Sequence, residues 1–407
     1  MLGKGNNPED ATKLFNKALE RLQSQQFDDA ERYFDLSLYY ELRPVTFFER
    51  AKLRLLRLCP TQTVLKDVEE GLKLCAASNE HSNVYCDLLS LKTNVIDPLI
   101  AAEERTLAEK EQRKAIIRGL AVAGKYEEVL EITGLTQCIT DLKQFSLPAI
   151  RMKVQEPHNG GISSRFGGIP DVPPNFKWPL VDCEEVVPLE FLCQLDLVEI
   201  AKIWPDSGLP SSGLLSFFAD ASEFGFGGDP SAWQVFYFEN KGILERAQPP
   251  SPSPIRAEFA AVTFPACSVE FEYLITLPEV YSEAMRKIIT GDEERERYEE
   301  LISGWQGDAH DTPTHQMFGH PQAIQEDVFI ECNDQIDVFN PKFQERFRKP
   351  SEDLLDPVNE WLLLLQIASD EEANFLWGDS GKLYFCIRRG DLAARNFAGV
   401  VLVGQCF

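Results

Sequence analysis

The chain has two different hydrophobic periods. In its first part apolar residues recur at helical spacing, as Phe27, Ala30 and Phe34 do, which is typical of amphipathic helices. In its second part the helical period ends and apolar and polar residues alternate, which is typical of strands. The pattern therefore predicts an α+β protein, with an all-α region over residues 8–140 followed by a β-rich domain over residues 150–407.

The β-rich region begins beyond Pro148, where proline, glycine and aromatic residues become more frequent. The run from Trp361 to Ile367 is apolar on both faces, which indicates a central strand covered on both sides. Residues 279–304 return to a helical pattern, broken at Gly291. Strands are predicted at 189–197, 214–218, 233–239, 269–276, 361–367, 382–388 and 399–406.

Three landmarks recur in the same order within the β-rich region. They are a turn of the F-G-x-P type, an apolar strand ending in glutamine, and the segment G-x-L-x-F. Their positions are Phe166–Pro170 and Phe318–Pro321, Gln194 and Gln366, and Gly213–Phe217 and Gly381–Phe385. This order predicts an internal duplication, with halves at about 160–240 and 312–405 around one shared core.

Two turns in the helical region are alike. Gln26–Glu31 and Lys125–Leu130 both place an aromatic residue, two acids and a small apolar residue at a helix start. This pattern resembles the second helix of a tetratricopeptide repeat, and residues 10–44 match it best, with Ala18 at the usual glycine and Leu14 at the usual large aromatic residue. Such arrays present a groove for peptides or protein surfaces. A plain helical bundle is the alternative.

The negative charge is concentrated in the second part of the chain. The formal net charge is −25, and residues 145–407 contribute −22 of it, with 42 acidic and 20 basic residues. Such a surface repels nucleic-acid backbones and anionic membranes, so neither is expected as a partner. It attracts a basic protein. The alternative is that the acidity only keeps the protein soluble.

The composition also bears on localisation. Ten cysteines are scattered along the chain without a C-x-x-C pair, which predicts reduced thiols and a cytoplasmic protein. The N-terminus lacks the pattern of a signal peptide, and no apolar run approaches the roughly 18–20 residues that span a bilayer.

Familiar catalytic and metal-binding motifs are absent. The sequence has no H-E-x-x-H, no paired cysteines, no glycine-rich phosphate loop and no G-x-S-x-G. His310, His315 and His320 are each five residues apart, a spacing that makes three imidazoles diverge on a helix or a strand. We therefore assign no catalytic residue, no metal and no cofactor.

The remaining candidates are polar residues in apolar surroundings. A buried amide is costly unless its hydrogen-bonding positions are satisfied, so each strand-ending glutamine either ties neighbouring backbone together or faces a polar pocket between the halves. In such a pocket His315 is the candidate acid or base, and Arg165 is the candidate anion-binding residue. Asp379 is also explained as a turn residue. The candidate binding residues are Arg165, Gln194, Asp196, His315, Gln325, Gln366, Asp370 and Asp379.

Residues of about 150–407 resemble the YwqG-like family, a domain of unknown function. The segments that carry the resemblance are Ser164–Pro170, Trp178-Pro179, Pro188–Leu197, His315–Pro321, Leu363–Gln366 and Trp377–Gly381. The resemblance implies a mixed, β-rich fold without an agreed activity. Tetratricopeptide repeats are not part of that family's core, so the helical region is an addition to it.

Three functional hypotheses follow. The first is a protein-binding protein in which the helical array and the acidic domain dock a protein partner; one version is a regulatory or immunity-type protein that masks a basic partner. The second is an enzyme or small-ligand binder that uses the polar pocket between the halves. The third is a structural protein whose helical region mediates only self-association.

Overall fold

The structure is a computed structural model that describes residues 7–78, 83–136, 139–157, 160–181, 187–221, 230–250, 264–280, 282–307, 314–338 and 360–406. The chain divides into two compact units, Met1–Gln112 and Arg113–Phe407. The second unit begins earlier in the chain than the predicted β-rich domain. The reason is that helical residues from Ile117 to Leu142 share an apolar cluster with residues from Leu277 to Trp305.

The first unit is helical, as the sequence predicts. Its helices are α1 (Pro8–Gln23), α2 (Phe27–Tyr40), α3 (Pro44–Leu56), α4 (Thr61–Ser78), α5 (Asn83–Leu91), a π-helical segment (Lys92–Ile96), and α6 (Asp97–Val122), whose residues from Arg113 onwards belong to the second unit. Asn7 begins α1 by accepting a hydrogen bond from the backbone of Asp10, and Pro44 occupies the first turn of α3, where a missing N–H costs little.

Small and aromatic residues bring α1 and α2 together. Ala18 of α1 and Ala30 and Phe34 of α2 are fully buried in one cluster, so the helices approach closely. Ser37 of α2 donates a hydrogen bond to the carbonyl of Ala11 at 2.8 Å. The helical period of the sequence therefore identifies the face of α2 that is buried.

An ionic network joins α2, α3 and α4. Arg50 donates to both carboxylate oxygens of Asp67, at 3.0 and 2.6 Å, and to Asp35 at 2.5 Å. Arg54 contacts Asp67 and Glu31 at 2.9 and 2.8 Å. Burial alone lowers the pKa of Arg50, but the two carboxylates outweigh it and raise the pKa. The network is a structural element of the helical unit.

The second unit combines helices with one large sheet. Its further helices are α7 (Tyr126–Thr133), α8 (Ile139–Phe145), α9 (Leu197–Ile203), α10 (Glu283–Ile288), α11 (Asp292–Gln306), α12 (Val328–Val338) and α13 (Arg389–Ala393). Its strands are β1 (Leu147–Pro157), β2 (Arg165–Phe166), β3 (Asp171–Val172), β4 (Glu190–Asp196), β5 (Leu214–Ala219), β6 (Trp233–Phe238), β7 (Glu245–Arg246), β8 (Cys267–Thr276), β9 (His315–Phe318), β10 (Trp361–Ala368), β11 (Lys382–Arg388) and β12 (Val401–Gln405). The protein is thus α+β.

The sheet is antiparallel and has the same plan on both sides of its centre. Its order is β12-β11-β10-β9-β1-β8-β2-β4-β5-β6, and β3 and β7 form a separate ribbon. Outward from the central pair β1 and β8, each side has a short strand and then three strands in chain order. The pairings are antiparallel throughout. Strand β10 lies inside the sheet and is almost entirely buried, as its apolar run predicts.

The two sides also match in register. Arg165 of β2 lies opposite Gln194 of β4, and Gln316 of β9 lies opposite Gln366 of β10. In both strands the register shifts just before the glutamine, between Phe191 and Cys193 in β4 and between Leu363 and Leu365 in β10. Such bulges bend a strand and increase its local twist, so the two sides are bent at the same place.

The edges of the sheet approach each other. The indole N–H of Trp233, at the start of β6, donates to the carbonyl of Val400, directly before β12, at 2.7 Å. The rings of Phe217 of β5 and Phe385 of β11 are 5.2 Å apart, although six strands lie between β5 and β11 in the order of the sheet. The sheet therefore curls around a single apolar core that contains residues of both sides.

The turns that follow β2 and β9 match each other in the structure. Their match lies one residue away from the one that the recurring Phe-Gly letters predict. Gly167 and Phe318 share the same left-handed backbone, with φ of 57° and 60°, and Gly168 and Gly319 follow with 74° and 70°. Phe318 therefore matches Gly167 and not Phe166. A bulky residue is rarely found in this conformation, so the shared Phe-Gly letters misplace the register even though the turn recurs.

Candidate functional site

The strand-ending glutamine of β4 is buried and ties three backbone segments together. The side-chain oxygen of Gln194 accepts from the backbone N–H of Asp171 at 3.1 Å. Its amide nitrogen donates to the carbonyl of Ser163 at 3.0 Å and to the Asp171 carboxylate at 2.8 Å. Gln194 is 0% exposed. Its polar atoms are therefore satisfied by the protein itself.

The glutamine of β10 makes the same three contacts. The side-chain oxygen of Gln366 accepts from the backbone N–H of Gln322 at 2.9 Å. Its amide nitrogen donates to the carbonyl of Thr314 at 2.9 Å and to the side-chain oxygen of Gln322 at 3.4 Å. Gln366 is also 0% exposed. The two glutamines thus have the same structural role on the two sides of the sheet.

Arg165 completes the network of the first side. Its guanidinium donates to the Asp171 carboxylate at 2.7 Å and to the carbonyl of Ile169. Burial lowers the pKa of Arg165, and the ion pair with Asp171 only partly opposes this. Since Arg165 is 1% exposed, its donors face protein groups and not solvent.

His315 and Asp370 form a buried pair on the second side. The Nδ1 atom of His315 accepts from the backbone N–H of Ala368 at 3.2 Å, so Nε2 carries the proton and donates to Asp370 at 2.9 Å. The other oxygen of Asp370 accepts from the backbone of Glu372 and Ala373 at 2.7 and 3.2 Å. Burial opposes ionisation of Asp370, but these partners outweigh it and lower its pKa.

Asp196 does not match Asp370, although both follow a strand-ending glutamine. Asp196 begins α9, where it accepts from the backbone N–H of Val198 at 3.0 Å, and it pairs with Lys241. The backbone N–H of Asp196 donates to the hydroxyl of Ser164 at 2.8 Å. By register Ser164 corresponds to His315, and Asp196 corresponds to Ala368.

Comparison with known families now identifies the sheet domain. The model of a domain of unknown function, DUF1963, matches residues 164–406, which is more than half of the chain. The chain belongs to the DUF1963 family. The YwqG-like resemblance of residues 150–407 agrees with this match, and no family match covers the helices before it. A search among curated proteins finds no match for the chain.

Two predicted site residues of the DUF1963 domain lie apart from the buried pairs. Gln325 is exposed and donates to the carbonyl of Cys406 at 2.7 Å. Asp379 is exposed in the turn that ends with the hydrogen bond from the backbone N–H of Gly381 to the carbonyl of Trp377. Neither side chain joins the networks of Gln194 and Gln366.

The buried candidates do not line an open cleft. Arg165, Gln194, His315 and Gln366 are at most 1% exposed, and both nitrogens of His315 are occupied. A general acid or base needs a proton within hydrogen-bonding reach of a substrate. As these four side chains are arranged, they stabilise the backbone of the DUF1963 domain.

Asp171 and Gln322 are the partners that the sequence did not single out. Each directly follows a proline of the recurring turn, Pro170 or Pro321, and each presents a backbone N–H and a side-chain oxygen to a glutamine. The sequence feature that these two residues share is therefore their position after the proline. Because one is an aspartate and the other a glutamine, the sequence alone does not show that they match.

Four carboxylates gather at α12 of the DUF1963 domain, a feature that the sequence analysis also missed. Burial raises the pKa of Glu331, and the neighbouring charges of Glu326, Asp334 and Asp327 raise it further, while a hydrogen bond from Gln405 opposes them. Across the part of the chain that the structure describes, no basic side chain pairs with these four residues. We call Glu326, Asp327, Glu331 and Asp334 the acidic patch.

Within the described ranges no group of three or more histidine, cysteine, aspartate or glutamate residues is arranged to hold a metal ion, and His310 lies outside these ranges. No helix in the described part of the chain is both long and apolar enough to cross a membrane.

Proposed function

We propose that the protein binds a basic protein partner through the acidic patch of its DUF1963 domain. The observation that carries the proposal is the group of four acids at α12, none of which pairs with a basic side chain within the described residues. Burial first, and then the charges of the other three acids, raise the pKa of Glu331. Like charges held together destabilise a fold. A basic partner relieves this repulsion, so binding and charge are coupled.

The charge of the whole domain supports the same conclusion. Residues 145–407 carry a net charge of −22, which attracts a basic protein over a distance of about 10 Å at moderate ionic strength. Such attraction mainly accelerates encounter and selects the partner. Acids that already pair with arginines are less suited to this role. Asp292 and Glu293 of α11, for example, pair with Arg295 and Arg297.

The experiment compares two variants with the same change of charge. In the patch variant Glu326→Gln, Glu331→Gln and Asp334→Asn are combined, and the Gln at 331 retains an acceptor for Gln405. The control combines Asp292→Asn, Glu293→Gln and Glu296→Gln in α11.

Tagged proteins are incubated with lysate of the source cells at about 0.05 M and about 0.5 M salt, and captured proteins are identified by mass spectrometry. We expect wild type and the control to retain basic proteins at low salt. We expect the patch variant to lose these proteins at low salt, and wild type and the control to lose them at high salt. Capture of the same proteins by all three, or no capture by wild type, contradicts the proposal.

The helical unit supplies a second docking surface as a tetratricopeptide-like array. In support, α1 to α4 form two pairs with short connections, and Leu36 and Tyr39 lie three residues apart on α2 with 38% and 41% exposure. Replacing both by serine leaves the buried face of α2 unchanged. We expect this variant to reduce capture of the basic partner, whereas unchanged capture refutes the role of α2.

We also infer that the protein acts in the cytoplasm. The eight cysteines in the described part of the chain are all free thiols, and five of them are buried, which suits a reducing compartment. Imaging of a tagged protein in source cells tests this inference. Location outside the cytoplasm refutes it.

A further inference from the structure

A cleft opens on the first side of the sheet, between α9 and β8. Its volume is about 370 Å³, at the lower end of the range for small-molecule sites of about 300–1,000 Å³. Its lining includes Glu199 and Lys202 of α9, Val269 and Phe271 of β8, and Ser164. None of these residues belongs to the acidic patch.

On the second side of the sheet the matching residues His315 and Met152 are buried. Ser164 and His315 match by register, and each accepts a hydrogen bond from the backbone N–H of the last residue of its glutamine-bearing strand. The ring of His315 packs against the ring of Phe375, with their centroids 6.2 Å apart. Met152, which matches Val269, is 2% exposed. The hydroxyl of Ser164 makes the same bond with a smaller side chain, and its side of the sheet has the cleft.

The residues of α9 in the cleft offer one anionic and one cationic side chain. Glu199 and Lys202 lie three residues apart on α9, so they share a helix face. The backbone N–H of Ser164 donates to one oxygen of Glu199 at 3.2 Å, which fixes the carboxylate. Lys202 is exposed. Together they match a ligand with one ammonium and one carboxylate.

The apolar residues of the cleft determine which side chain the ligand carries. Val269 and Phe271 are half-buried, so they can still gain by burial against an apolar group. A strongly anionic ligand is disfavoured because the domain carries a net charge of −22, but a zwitterion has no net charge to repel. We propose that the cleft binds a free α-amino acid with an apolar side chain, its carboxylate on Lys202, its ammonium on Glu199 and its side chain on Phe271.

The experiment is isothermal titration calorimetry on the full chain with leucine and phenylalanine. The variants are Lys202→Gln and Glu199→Gln, and the Gln at 199 still accepts from Ser164. Lys177→Gln is the matched control, since Lys177 is exposed and does not line the cleft. Loss of one charge-assisted hydrogen bond weakens affinity about tenfold or more. We expect this loss in both cleft variants and an unchanged affinity in the control.

Truncated ligands test each contact separately. Glycine lacks the apolar side chain, 4-methylpentanoate lacks the ammonium, and 3-methylbutylamine lacks the carboxylate. We expect each of them to bind at least about tenfold more weakly than leucine. Absence of binding by leucine and phenylalanine, equal affinity in the cleft variants and wild type, or equal binding of a truncated ligand overturns the proposal. The acidic patch does not enter these measurements, so either proposal can fail alone.

Discussion

His320 gives the sheet domain a pH-dependent stability. It lies in the turn after β9, and its Nε2 donates to the carbonyl of Phe145, at the end of α8, at 2.6 Å. Burial lowers the pKa of His320 from 6.5 to about 4, and the hydrogen bond to Phe145 opposes this only in part. The perturbation is a decrease in pH from about 7.5 to about 5, applied to wild type and to His320→Gln.

The sign and size follow from the two pKa values. The unfolded chain takes up a proton near pH 6.5, whereas the folded chain resists it until about pH 4. Stability is therefore complete above pH 6.5 and falls as the pH decreases toward 4. Between these values each pH unit corresponds to about 1.4 kcal/mol, so the loss at pH 5 is about 2 kcal/mol. Because the ring is only partly buried, solvent screening reduces it to about 1 to 2 kcal/mol.

Tryptophan fluorescence during denaturant unfolding is the assay. All six tryptophans lie in the second unit, at positions 178, 204, 233, 305, 361 and 377, so the signal reports that unit alone. The carboxyl groups titrate in both proteins and cancel in the comparison. We expect wild type to lose about 1 to 2 kcal/mol more than His320→Gln on acidification. Equal losses would refute the assignment of this pH dependence to His320.

Three further predictions concern stability. Gln194→Leu and Gln366→Leu each leave a buried backbone N–H and carbonyl unpaired, so each lowers the unfolding free energy by about 2 to 4 kcal/mol; fluorescence values that differ widely between the two contradict their matched roles. Arg50→Met leaves Asp67 buried with fewer partners and costs about 2 to 4 kcal/mol by circular dichroism, whereas Lys52→Met, at an exposed site of the same helix, costs less than about 1; equal costs count against the ionic network. Trp233→Phe leaves the carbonyl of Val400 unpaired and costs about 1 to 3 kcal/mol; an unchanged transition by fluorescence of the other tryptophans speaks against contact between the sheet edges.

The sequence predicts the fold class and the positions of seven strands closely, but it does not predict the central strand β1 or the short strands β2, β3, β7 and β9. For example, β10 was predicted at 361–367 and lies at Trp361–Ala368, because a strand buried on both faces has an unbroken apolar run. The exact match of the two turns could not be predicted. Phe166 and Phe318 suggest one alignment by their letters, and only the backbone shows that Phe318 stands where Gly167 does.

The chemistry of the candidate residues was harder to predict than their positions. Sequence alone left Gln194 and Gln366 with two roles, and the structure shows that their hydrogen-bond partners are backbone and side-chain groups of the protein. Asp196 and Asp370 follow these glutamines at different distances, and a strand's neighbours depend on register. Their unlike settings, a helix start and a contact with His315, were therefore invisible in the sequence.

The acidic patch shows why surface sites escape sequence analysis. Acids at 326, 327, 331 and 334 look like an ordinary solvated helix face, since any of them is free to pair with a basic residue elsewhere in the chain. Only the folded arrangement shows that burial and the charges of the other three acids raise the pKa of Glu331.

The most direct test of acidic recognition is the salt dependence of partner affinity. The basic protein captured by wild type is titrated against wild type and against the combined Glu326→Gln, Glu331→Gln and Asp334→Asn variant, from about 0.05 M to about 0.5 M salt. We expect the affinity of wild type to fall steeply with salt and that of the variant to be weak at low salt and nearly flat. Parallel curves for the two proteins would contradict recognition through the acidic patch.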